Sequence, residues 1–70
     1  MPQPSTNYFV VTTSGEYRVK AGKEHDAYNS IEEWAIANAP QISGALKAGD
    51  KDFKILELYL GSDRSGNRIR

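Results

Sequence analysis

The sequence predicts a small α+β domain: an antiparallel sheet of three to four strands with one helix packed on it, in the order β-β-α-(β)-β. Three patterns predict it. Residues 8–13 and 16–21 carry strand-forming side chains on either side of Ser14-Gly15. Residues 31–38 place apolar side chains at helical spacing behind a capping sequence. Residues 53–60 return to aromatic and aliphatic types after the charged turn Asp50-Lys51-Asp52.

Tyr8 to Thr13 is a run of aromatic and β-branched residues, which suit a pleated, half-buried surface. Glu16 to Ala21 alternates: Tyr17, Val19 and Ala21 point one way, Glu16, Arg18 and Lys20 the other. Period two marks a strand with one wet face. Gly15 supplies the backbone freedom that a tight hairpin needs.

The helix is expected to start between Asp26 and Ser30. Ser30 and Glu33 have the capping-box spacing, in which each side chain satisfies a free N–H of the other residue. Ile31, Trp34, Ala35 and Asn38 form one stripe, and Trp34 on that stripe reads as core against the hairpin. Pro40 ends the helix by pushing its predecessor out of the α region.

Residues 42–48 fit two descriptions. A helix would use Pro40 in its first turn, Ile42, Ala45 and Leu46 as its stripe, and Gly49 just beyond its end. A strand would align Ile42, Gly44, Leu46 and Ala48. The strand is preferred here, because so short a chain needs another sheet member to cover apolar surface. In residues 53–60, Phe53, Ile55 and Tyr59 alternate with Leu56, Leu58 and Leu60, so both faces are apolar. One helix cannot cover both. Either an oligomer or a partner hides the second face, or the strand twists out of the core.

These elements divide the chain into a flexible N-terminal tail (1–7), a globular domain (8–61), and a polar loop with a basic C-terminal tail or short last strand (62–70). The chain has 70 residues, with nine basic and nine acidic side chains and a net charge of zero. That balance disfavours a strongly cationic nucleic-acid binder. The absence of cysteine excludes disulfide scaffolds, zinc fingers and thiolate catalysis. A domain of this size buries only about 60% of its unfolded surface, which makes a second subunit or bound partner a reasonable expectation. No apolar run approaches the roughly 20 residues of a membrane span, and residues 1–7 lack the pattern of a secretory signal. The expected location is therefore cytoplasmic, with no membrane association.

Chemistry-bearing clusters are few. Glu24-His25-Asp26 holds the single histidine, but sequence neighbours splay apart and no second histidine completes a metal site. His25 oriented by Asp26 lacks a marked nucleophile; Ser14, Ser30, Ser43, Ser62 and Ser65 read as turn or cap residues. Gly61 to Gly66 has loop glycines without the Lys-Ser/Thr of a phosphate loop and reads as a hairpin loop. No catalytic residue, cofactor or metal ligand is assigned.

Charge is distributed in blocks. Glu24, Asp26, Glu32 and Glu33 form an acidic stretch without Lys or Arg, expected to be a partner-binding surface. Arg18, Lys20 and Lys23, and again Arg64, Arg68 and Arg70, form basic stretches without acids. These six are the candidate nucleic-acid contacts, with Tyr8, Tyr17 or Tyr59 as stacking surfaces, although so few phosphate contacts give weak, salt-sensitive binding.

The expected function is that of a non-enzymatic binding protein that docks on a protein partner. Small phage and mobile-element inhibitors, including anti-CRISPR proteins, share this size and lack of catalytic motifs. The alternatives are a weak nucleic-acid-binding module and a homo-oligomeric structural subunit.

Overall fold

In a computed structural model, residues 6–70 are described. The part of the expected tail at residues 1–5 lies outside them. Strand β1 (Thr6–Thr12) and strand β2 (Gly15–Ala21) form the hairpin. A single 3-10 turn (His25–Ala27) leads to helix α1 (Ile31–Asn38) and helix α2 (Pro40–Ala48). Strands β3 (Ile55–Leu60) and β4 (Asn67–Arg68) complete an antiparallel sheet of order β2-β1-β3-β4. Thus Thr6 and Asn7 belong to the sheet, and the short last strand exists.

Hydrogen bonds at the hairpin turn explain its position. Thr12 Oγ1 accepts from Ser14 N at 3.1 Å and donates to Gly15 O at 2.9 Å, satisfying two main-chain groups with one hydroxyl. Ser30 is the N-cap of α1, its hydroxyl accepting from Glu33 N at 3.1 Å.

Residues 42–48 are helical, which corrects the strand expectation and gives two helices rather than one. Pro40 occupies the first turn, where a missing N–H costs nothing. Gly49 takes φ 71° beyond the last turn, and its N–H reaches Ala45 O and Leu46 O. Both ends of α2 are therefore defined locally. The fourth sheet member comes from the C-terminus instead.

Both helices cover one face of the sheet. The core there contains Tyr8, Val10, Val19 and Ala21 from the hairpin, Trp34, Ala35 and Ile42 from the helices, and Phe53, Ile55 and Leu58. Trp34 is fully buried, 4.6 Å from the Tyr8 ring, and its Nε1–H donates to Lys23 O at 2.9 Å. Burying an aromatic body while pairing its one polar atom is the favourable way to place a tryptophan in a core.

The two apolar faces of residues 53–60 are resolved by a β-bulge. Val11 pairs with Glu57 and Thr12 with Ile55, so Leu56 is an extra residue on β3. Alternation breaks at that point. Ile55 and Leu58 both face the helices, while Tyr59 faces away and joins Phe9 and Val11 in a second cluster. The expected grouping of Phe53, Ile55 and Tyr59 on one face is thereby corrected. Leu56, at the bulge, and Leu60, at the strand end, are the exposed large apolar residues.

Candidate functional site

The helix-free face of the sheet gathers side chains from all four strands. The register Arg18↔Phe9↔Tyr59↔Arg68 sets two rings between two arginines in one row across the sheet. Opposed residues in antiparallel pairs share a face, so this row follows from hydrogen-bond register alone. Alongside it, Glu16, Val11 and Glu57 form a second row, and Lys20 opposes Asn7.

The β3–β4 loop closes over this face. Gly61 N donates to Asn7 O at 2.9 Å, and Arg18 Nε donates to Ser62 O at 3.2 Å. Arg64 bonds Glu16 at 2.5 Å and lies 6.0 Å from the centre of the Phe9 ring. Within the loop, Asp63 accepts from Ser65 N at 2.9 Å and from the Ser65 hydroxyl, and these bonds hold its carboxyl below the usual range. Gly66 is required by close approach: a Cβ there would stand 1.9 Å from Leu60 O. The loop is consequently held at both ends.

Phe9, Val11 and Tyr59 are each only 8% exposed. The Tyr59 hydroxyl donates to the Glu57 carboxylate, which holds the tyrosine above its ordinary pKa. Arg64 lies over the Phe9 ring, and neither ring is open to a stacking base. Tyr8 and Tyr17 point to the helix side, so neither belongs to this face. Of the expected stacking residues, only Tyr59 lies here.

Geometry divides the six basic candidates. Arg18, Lys20, Arg64 and Arg68 belong to the helix-free face, as register and the Arg64–Glu16 pair show. Lys23 lies past the end of β2, where its carbonyl receives Trp34. Arg70 is on the opposite side, forking Glu32 of α1 at 2.6 and 3.1 Å. The acidic stretch is divided too. Glu24 and Asp26 flank and occupy the 3-10 turn, Glu32 and Glu33 sit in the first turn of α1, and Glu32 is paired by Arg70.

His25 turns inward to Tyr8 rather than toward acids. Its N–H donates to the Tyr8 hydroxyl at 3.1 Å, and that hydroxyl lies 3.3 Å from His25 Nδ1. Among the described residues, no group of three or more His, Asp or Glu side chains could hold a metal ion. No described helix is long and apolar enough to cross a membrane.

Sequence reasoning did not place Phe9, Asn7, Glu57 or Ser62 in this site. A signal existed for Phe9: residues 8–11 are all apolar, which in a strand puts apolar side chains on both faces. Asn7 and Ser62 have no such signal, because only the folded loop brings them together. No family model, curated protein or solved structure matches the chain. The fold and this face define a small α+β module in which, among the described residues, helices cover one side of the sheet only.

Proposed function

We propose that this protein is a non-catalytic docking module that engages a protein partner through the helix-free face of its sheet. One observation carries the reading: the Arg18–Phe9–Tyr59–Arg68 row, with Lys20 beside it, on a face that no helix of the described residues covers. Arginine is enriched among the residues that supply most of the binding energy at protein interfaces, and Nε of each row arginine is already held, Arg18 by Ser62 O and Arg68 by Arg70 O, which limits the entropy lost on docking. Glu16 already pairs Arg64, leaving Arg18, Lys20 and Arg68 to meet acidic groups of the partner. Charge complementarity of this kind sets register and association rate. A phage or mobile-element inhibitor would act in this way, by occupying a partner's surface.

The nucleic-acid alternative is less well supported. It loses Lys23 and Arg70 from its contact set, and buried rings remove the stacking that gives single-strand binding much of its strength.

Reversal of Arg18 and Arg68 to Glu, compared with reversal of Glu24 and Glu33 to Lys, tests the proposal in capture from lysate with quantified partner recovery. Loss of a specific partner with the first pair alone supports docking through the sheet. Retention with the first pair and loss with the second moves the interface to the acidic edge.

A further inference from the structure

A concavity of about 270 Å³ lies where the outer face of the hairpin meets the β3–β4 loop, lined by Asn7, Tyr8, Arg18, Val19, Lys20 and Ser62. Its floor is the cross-strand pair Asn7↔Lys20, with Arg18 two residues along the same face of β2. Its wall is the loop. Arg18 Nε is engaged by Ser62 O, which orients the guanidinium and leaves its terminal nitrogens for another acceptor. Gly61 N on Asn7 O and Arg64 on Glu16 hold the wall on both sides, so the cleft exists before any ligand arrives.

We infer that this cleft binds a phosphoryl group, as free phosphate or as a phosphomonoester. Three points select that chemistry. First, the two charged lining groups are both cations, a guanidinium and an ammonium, neither of which can accept a hydrogen bond. Second, the polar lining residues, Asn7 on β1, Arg18 and Lys20 on β2 and Ser62 in the loop, all carry side chains able to donate, and they sit on three different segments. A tetrahedral oxyanion can accept from such a set, whereas a planar carboxylate is satisfied by the arginine fork alone. Third, the volume falls below the roughly 300–1,000 Å³ of a pocket for drug-sized ligands, so it suits a group rather than a whole large ligand.

Asp63 follows Ser62 in the loop and lies close enough to Arg18 to feel its charge, so it offsets part of the positive charge, although its Oδ1 is already taken by Ser65. Binding should therefore be weak, with a Kd on the order of 1 mM. The inference shares Arg18 and Lys20 with the docking proposal, but its test uses no protein partner, so either can fail alone.

The test is a titration of the isotope-labelled protein, followed by amide shifts, at constant ionic strength. Three arms use inorganic phosphate, glycerol phosphate and acetate. Lys20→Gln is the informative variant, because no hydrogen bond or ion pair of the described structure uses that ammonium; Lys47→Gln on α2 is the control. Saturable shifts at Asn7, Arg18, Lys20 and Ser62 with either phosphate are expected, weakened about fivefold or more in Lys20→Gln, where a charge-assisted bond is removed, and unchanged in Lys47→Gln. Saturation with inorganic phosphate alone would identify a free-ion site, and saturation with both a phosphoryl site. Linear shifts matching the acetate arm, or the same affinity in Lys20→Gln, would overturn the inference.

Discussion

Arg70 grips Glu32 with two hydrogen bonds, 2.6 and 3.1 Å long, and also donates to Ile55 O at 3.1 Å. A residue at the end of the numbering is thereby fastened to the first turn of α1 and to β3. Ile69 N and Arg70 N both donate to Leu58 O, so the clasp also aligns the segment that follows β4. The Arg70 hydrogen bonds hold the Glu32 carboxyl below its usual value of 4.5.

That clasp makes stability depend on acid. A carboxyl depressed in the folded state contributes above its unfolded pKa, and the contribution disappears as pH falls through the lower folded value. Both side chains are more than a third exposed, so Arg70→Ala should cost no more than about 1 kcal/mol near neutral pH. Urea unfolding of Arg70→Ala and the parent should differ most near neutral pH, and the difference should shrink as pH falls through the lowered Glu32 value, leaving only the part due to the Ile55 O bond. An undiminished difference in acid would contradict the assignment.

Tyr8→Phe should destabilise the fold by about 1–3 kcal/mol, since it leaves His25 N–H without its acceptor in a partly buried site. For a domain of this size that lowers Tm by roughly 4–8 °C per kcal/mol. Calorimetry checks it; an unchanged Tm would mean that the hydroxyl bonds contribute nothing.

Gly66→Ala has no room for its methyl group against Leu60 O, so the loop must shift. The expected result is lower stability, by about 1–3 kcal/mol, together with amide shifts spreading to Arg18 and Arg64. Changes confined to residue 66 would show that the loop accommodates a side chain.

The bulge separates two neighbouring leucines. Leu58→Ala should cost about 2–5 kcal/mol, because Leu58 is fully buried. Leu56→Ser should stay within about 0.5 kcal/mol, because Leu56 is half exposed at the bulge. Equal costs in denaturant titrations would place the bulge elsewhere.

The hairpin, the Ser30 cap, the burial of Trp34 and the stop at Pro40 were all legible in the sequence, because each depends on residues within a few positions of one another. Period two, a capping hydroxyl and a proline ring act locally. Residues 42–48 are also locally encoded, by Pro40 and Gly49, whereas the need for another sheet member, which favours a strand there, is a long-range demand that the C-terminal strand meets instead.

The candidate site was only partly legible. Alternation put Arg18 and Lys20 on one face, but it could not show that Phe9 and Tyr59 would fall into line with Arg18 and Arg68. That depends on cross-strand register, including the one-residue slip at Leu56. Charge blocks grouped Arg70 with Arg64 and Arg68, yet two residues past Arg68 the chain crosses to the helix side and meets Glu32. By itself the sequence determined which segments become strands and helices, and that one face of β2 is charged. The tertiary structure alone decided which charges meet, because register, bulge and loop closure are set by contacts between segments far apart in the chain.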